Sequence, residues 1–100
     1  MKSLNYLTIT NTIRELTKAG KIEISNNLLN ILNNNKLKKP EKHNKKDDLK
    51  TSFFKIELEE NVIEEIIDLL LDLEFESLTE NGEASELTNY YVNLINDWSK

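Results

Sequence analysis

The sequence predicts an α+β fold, a small single domain over residues 1–100, mostly helical. About four helices and two short strands are expected in the order α-β-α-linker-β-α-α. Three observations carry that expectation. Apolar residues recur at helical spacing in four stretches, two shorter stretches alternate apolar with polar side chains, and a lysine-rich segment holding the only proline parts the two halves. One hundred residues is the length of one ordinary domain, long enough to hide roughly two-thirds of the surface that the unfolded chain exposes.

Ser3 to Ala19 reads as the first helix: Tyr6, Ile9, Ile13 and Leu16 share one side, and Arg14, Glu15 and Lys18 take the other. Thr8, Thr10 and Thr12 also permit a short strand over Leu4 to Ile9, since β-branched side chains suit a pleated surface. Lys18 and Gly20 make a stop, a cation in the last turn followed by a residue free to turn left-handed. Lys21-Ile22-Glu23-Ile24 alternates with period two and reads as the first strand. Ser25 then offers a capping hydroxyl to a helix carrying Leu28, Leu29, Ile31 and Leu32, which Asn33, Asn34 and Asn35 end.

Residues 36–51 read as a flexible linker, with Pro40, seven lysines and too little apolar surface to offset the entropy of ordering. Ser52 to Leu58 alternates again, Phe54, Ile56 and Leu58 against Phe53, Lys55 and Glu57, and is the best strand. Asn61 is placed to cap the strongest helix, with Glu64 closing a capping box and the helix running to about Leu78. Asn81-Gly82 signals a turn, and Ser85 caps a last helix with the stripe Leu87, Tyr90, Tyr91, Leu94, Ile95 and Trp98. Lys21 to Leu32 and Lys55 to Ile66 share Lys-Ile-Glu and a later Asn before an apolar pair. Any short strand running into a capped helix looks like this, so the echo does not establish a duplicated βα unit.

Charge is the least ordinary feature. Residues 1–50 carry ten lysines and one arginine against five acids, a balance of +6, while residues 51–100 carry two lysines against thirteen acids, −11. Lysine and asparagine are abundant and Arg14 is the only arginine, a bias expected of AT-rich coding DNA such as that of a mobile element or phage.

Nothing in the chain is arranged for chemistry. There is no cysteine, hence no disulfide or thiolate metal site. His43, the only histidine, lies among cations without an orienting partner, and Gly20 and Gly82 stand alone rather than in a phosphate loop. Asp47, Asp48 and the Glu57-Glu59-Glu60 cluster lack the spacing of a calcium loop. The expectation is a non-enzymatic protein with no catalytic residues, cofactor or metal. The N-terminus lacks the apolar core of a signal peptide and Asp68 and Asp72 interrupt the longest apolar run, so a cytoplasmic protein without a membrane partner is expected.

Binding surfaces remain. Asn61, Glu65, Asp68, Asp72 and Glu76 form one polar ridge, and Ile67, Leu69 and Leu71 spill beyond the apolar seam of the same helix, which suits a partner or homodimer interface as well as a core. One of Tyr90 and Tyr91 must border solvent, and Tyr91 joins Glu65, Asp68, Asp72 and Glu76 as a candidate partner-binding residue. Lys36, Lys38, Lys39, Lys42, Lys45 and Lys46 are candidates for polyanion binding, without aromatic residues to stack on bases. Thr12 to Leu32 also fits a helix-turn-helix with Asn26, Asn27 and Asn30 on its second helix, against which stand the strand expected at Ile22 and Ile24 and the repulsion of phosphates by the acidic C-terminal half. The leading expectation is a regulatory protein that binds a protein partner, basic in character, through its acidic, apolar-flanked C-terminal half. The alternatives are an acidic inhibitor of a nucleic-acid-handling enzyme, of DNA-mimic or toxin-inhibitor type, and nucleic-acid binding through the basic N-terminal half.

Overall fold

A three-residue strand, β1 (Ser3–Asn5), turns straight into α1 (Tyr6–Lys18), because Asn5 serves both elements. Its backbone is extended, while its side-chain Oδ1 accepts a hydrogen bond of 2.8 Å from the Thr8 N–H, satisfying one of the orphan donors of the first turn. The computed structural model describes residues 3–37 and 52–99. Six elements follow in the order β1, α1, α2 (Ile22–Asn34), β2 (Phe53–Lys55), α3 (Glu60–Glu76) and α4 (Glu86–Ser99). Four helices and a two-stranded antiparallel sheet make the chain α+β and mostly helical, as the periodicities predict. It divides into two compact units, Met1–Glu57 and Leu58–Lys100.

In the first unit β2 is the middle of the pairing. On one side it runs antiparallel to β1, with Ser3 opposite Lys55, Leu4 opposite Phe54 and Asn5 opposite Phe53. On the other, Lys36 bridges to Phe54, the Lys55 N–H donates to the Asn35 carbonyl at 3.0 Å, and the Leu37 N–H donates to the Phe53 carbonyl at 2.9 Å. Lys36 and Leu37, expected in the linker, thus lie along the sheet; the rest of the linker is outside the described residues. Leu4, Phe54 and Ile56 are buried, with the Tyr6 and Phe54 rings 6.3 Å apart.

The first strand lies at Ser3–Asn5, not at Lys21 to Ile24, which forms the start of α2. Four alternating residues are also one helical turn, so the pattern was ambiguous. Burial resolves it: Ile22 is exposed and Ile24 buried, whereas in a strand both would share a face. Ser25 is consequently no cap. It is buried within α2 with its Oγ 3.0 Å from Thr17 Oγ1, a hydroxyl link between α1 and α2.

Gly20 ends α1 as expected. At φ +79° it lets the Lys21 N–H reach the Leu16 carbonyl at 2.8 Å while its own N–H reaches Thr17, the paired bonds of a Schellman turn. The helices leaving that turn bury Ile9, Thr12 and Leu16 of α1 and Ile24, Leu28 and Ile31 of α2.

The second unit is a helical hairpin. Its first helix begins before Asn61: Glu59 is the N-cap, no side chain caps the turn, and the expected Asn61–Glu64 box does not form because both residues are already helical. The helix stops at Glu76, where Ser77 takes the C-cap position and donates its hydroxyl to the Glu74 carbonyl at 2.6 Å. Gly82, at φ +77°, allows the connection to fold back, with Gly82 N–H on Thr79 O and Thr79 N–H on Glu83 O. Ser85 caps α4 as the sequence indicates, and Thr88 answers it: the Thr88 N–H donates to Ser85 Oγ and the Ser85 N–H to Thr88 Oγ1. Ile66 and Leu70 of α3 and Tyr91, Leu94 and Trp98 of α4 are the buried apolar residues of this unit.

Two substitutions test this account by urea denaturation. Phe54→Ala removes a fully buried ring from the central strand and is expected to cost about 3–5 kcal/mol. Gly20→Ala meets nothing within 4 Å, so its cost is the left-handed backbone alone, about 1 kcal/mol.

Candidate functional site

Helix α3 presents two unlike surfaces. One is buried through Ile66 and Leu70; on the other Asn61, Glu64, Glu65, Asp68, Asp72 and Glu76 are all exposed. The structure therefore brings together four of the predicted partner-binding residues, Glu65, Asp68, Asp72 and Glu76, on one helix surface. Tyr91 does not join them. It is 6% exposed, its ring edge-on to Tyr90 with centroids 5.2 Å apart, and Tyr90 is the half-buried member of the pair. Successive positions differ by about 100°, and Tyr91 shares its side of α4 with the buried Thr88, Leu94 and Trp98.

Sequence reasoning missed Phe75. It is 76% exposed, on the pole of α3 opposite Ile66 and Leu70, and one turn after Leu71, itself 44% exposed. Glu64, Asp68, Leu71 and Phe75 succeed one another at spacings of four, three and four, so the two apolar side chains extend a row of acids and border the ridge. The signal was present: Phe75 is nine residues past the buried Ile66, two and a half turns that put it on the far side. Exposed apolar residues scattered singly are ordinary; an apolar pair set in a field of carboxylates is a more specific arrangement.

The electrostatics of this face are one-signed. From Leu58 onward the chain carries twelve acids and a single cation, Lys100, a balance of −11. The first unit, residues 1–57, carries eleven lysines and one arginine against six acids, +6, so the border between the charges falls on the border between the packed units. With no lysine or arginine on α3, its i,i+4 carboxylate pairs repel one another by a few tenths of a kcal/mol each.

Of the predicted polyanion-binding residues, Lys36 is exposed at the bridge to Phe54; Lys38, Lys39, Lys42, Lys45 and Lys46 lie outside the described residues, as do His43, Asp47 and Asp48. Among the described residues no group of three or more His, Asp or Glu side chains is placed to hold a metal ion, and no helix is long and apolar enough to cross a membrane. A cluster of hydroxyls, Ser77, Ser85 and Thr88, is engaged in tying the end of α3 to the start of α4, with Ser77 Oγ 2.7 Å from Thr88 Oγ1 and Ser85 Oγ donating to the Ser77 carbonyl at 2.9 Å. Glu15 is a buried carboxylate with the Arg14 guanidinium 3.7 Å away, part of the packing of α1.

Because the acidic face is already self-repelling and exposed, Asp68→Lys and Phe75→Ser are expected to leave the midpoint of thermal unfolding within a few degrees of the wild type, with Asp68→Lys on the stabilising side. Circular dichroism melts check both. Comparison with protein-family models, curated proteins and solved structures gives no match to this chain.

Proposed function

We propose that this is a non-enzymatic regulatory protein that binds a protein partner through the outer face of α3. The observation that carries the reading is the apolar pair Leu71 and Phe75, exposed beside Glu64, Asp68, Asp72 and Glu76 on a helix without a cation. A surface built this way selects a basic amphipathic segment. Lysine and arginine side chains can lay their methylene stems on Phe75 while their charged ends meet the carboxylates, and a cation over the ring gains further attraction. Charge complementarity of this sort sets specificity and association rate, while the ring supplies the desolvated anchor.

The test is affinity capture of the tagged chain from its native host, run in parallel for the wild type, Phe75→Ser and Asp68→Lys. A basic protein that co-purifies with the wild type, is depleted at least about tenfold by either substitution and dissociates as salt is raised is the expected result. The same partner recovered equally with all three chains, each folded by its melt, overturns the assignment to α3.

A further inference from the structure

The first unit carries a second surface that the α3 reading does not use. Helices α1 and α2 are joined by the three-residue turn Ala19-Gly20-Lys21, and the strand that the sequence set against a helix-turn-helix is absent from that turn. On α2 Asn26, Asn30 and Asn33 lie opposite Ile24, Leu28 and Ile31, with Asn27 and Asn34 on the flank, and all five are exposed. Asparagine is a poor helix former, and its amide competes with the backbone; Asn34 Nδ2 already donates to the Asn30 carbonyl at 3.0 Å. Five on one exposed face cost the helix stability that alanine, lysine or glutamate there would return. The same face carries Ile22 and Leu29, exposed by 52% and 43%.

We infer that the outer face of α2 is a contact surface for double-stranded DNA, read through the major groove at A·T-rich sequence. The residue types match what an A·T pair offers there. An asparagine amide pairs bidentately with adenine N6 and N7, and an apolar side chain packs on the thymine methyl. The major groove admits an α-helix, and α2, thirteen residues and about 20 Å long, is enough to cross it. Cations are at hand as well: Arg14, Lys18 and Lys21 are exposed on and just after α1, and Lys36 just after α2. Of the two carboxylates on these helices, Glu15 is buried, and Glu23 is exposed on the asparagine side in the first turn. In this reading Lys18 and Lys21 hold phosphates while the asparagines read bases.

Fluorescence anisotropy of the full chain against labelled duplexes of about two helical turns, one A·T-rich and one G·C-rich, tests the inference at low and moderate salt. Expected is binding of the A·T-rich duplex at least about tenfold tighter, with Asn26→Ala, Asn30→Ala and Asn33→Ala each lowering that affinity about fivefold or more. Alanine favours helix over asparagine, so these variants keep the fold, and unchanged circular dichroism melts confirm it. Lys18→Ala and Lys21→Ala are expected to weaken both duplexes alike and to lower the salt slope by about one each. No duplex binding at tens of micromolar protein and low salt overturns the inference. So does equal affinity for both duplexes that survives the triple asparagine variant, preferential binding of single strands or RNA, or a salt slope indifferent to the lysines.

Discussion

The first unit depends on one pairing made across fifty residues of chain, Leu4 against Phe54. Bringing two such distant segments together carries a loop-closure cost of about 3.5 kcal/mol before any contact repays it. Two three-residue strands cannot offset that by their ladder alone, and a lone two-stranded ribbon is marginal in water. The remedy is convergence on β2. Its backbone is engaged by β1 on one edge and by Asn35 and Leu37 on the other, the Tyr6 N–H donates to the Ser52 carbonyl, and the Phe54 ring is fully withdrawn from solvent. The same convergence sets the start of α1 and the end of α2, because Asn5 leaves the sheet as a cap and Asn35 returns to it as a partner.

Between those two ends the contact of α1 with α2 is partly polar. Thr8, Thr12, Glu15 and Ser25 are buried among Ile9, Leu16, Ile24 and Leu28. Buried hydroxyls and carboxylates are costly unless bonded, and among the described residues no buried side-chain nitrogen or oxygen lacks a hydrogen-bond partner. Thr12 achieves this by donating to the Thr8 carbonyl at 2.7 Å, and Thr17 and Ser25 by meeting across the two helices. The bond between Thr17 and Ser25, which crosses the two helices, favours one register, where a purely apolar seam tolerates slippage.

Much of this was legible in the residues. The fold class, the left-handed Gly20, the Ser85 cap and the acidic ridge of α3 followed from spacing and from side-chain chemistry, because each is a local property. The position of the first strand was legible only in part: a strand over Leu4 to Ile9 is permitted, but only Leu4 and Asn5 of it join Ser3 in β1, because the strand forms by meeting Phe53 to Lys55 and nothing local announces a partner fifty positions away. Lys21 to Ile24 failed for the opposite reason: a period-two pattern too short to exclude one turn of helix. At the surface the carboxylates and the spill of Leu71 beyond the seam are legible, whereas Phe75, near the end of the helix, stands outside every periodic set that the sequence offers. Tyr91 was placed outside, whereas its periodicity with Thr88 and Trp98 already put it in.

The coincidence of the charge border with the packing border gives the isoelectric point an unusual meaning. At the sequence value of about 4.9 the whole chain is neutral, yet a chain of this composition reaches neutrality by cancellation between a cationic first unit and an anionic second one. Ordinary proteins lose solubility there because repulsion between molecules vanishes. Here attraction is added, since the lysines of the first unit in one molecule remain opposite in sign to the carboxylates still ionised in the second unit of another. The colloidal behaviour near that pH is that of a polyampholyte: association promoted in dilute buffer and relieved by added salt, the reverse of salting out.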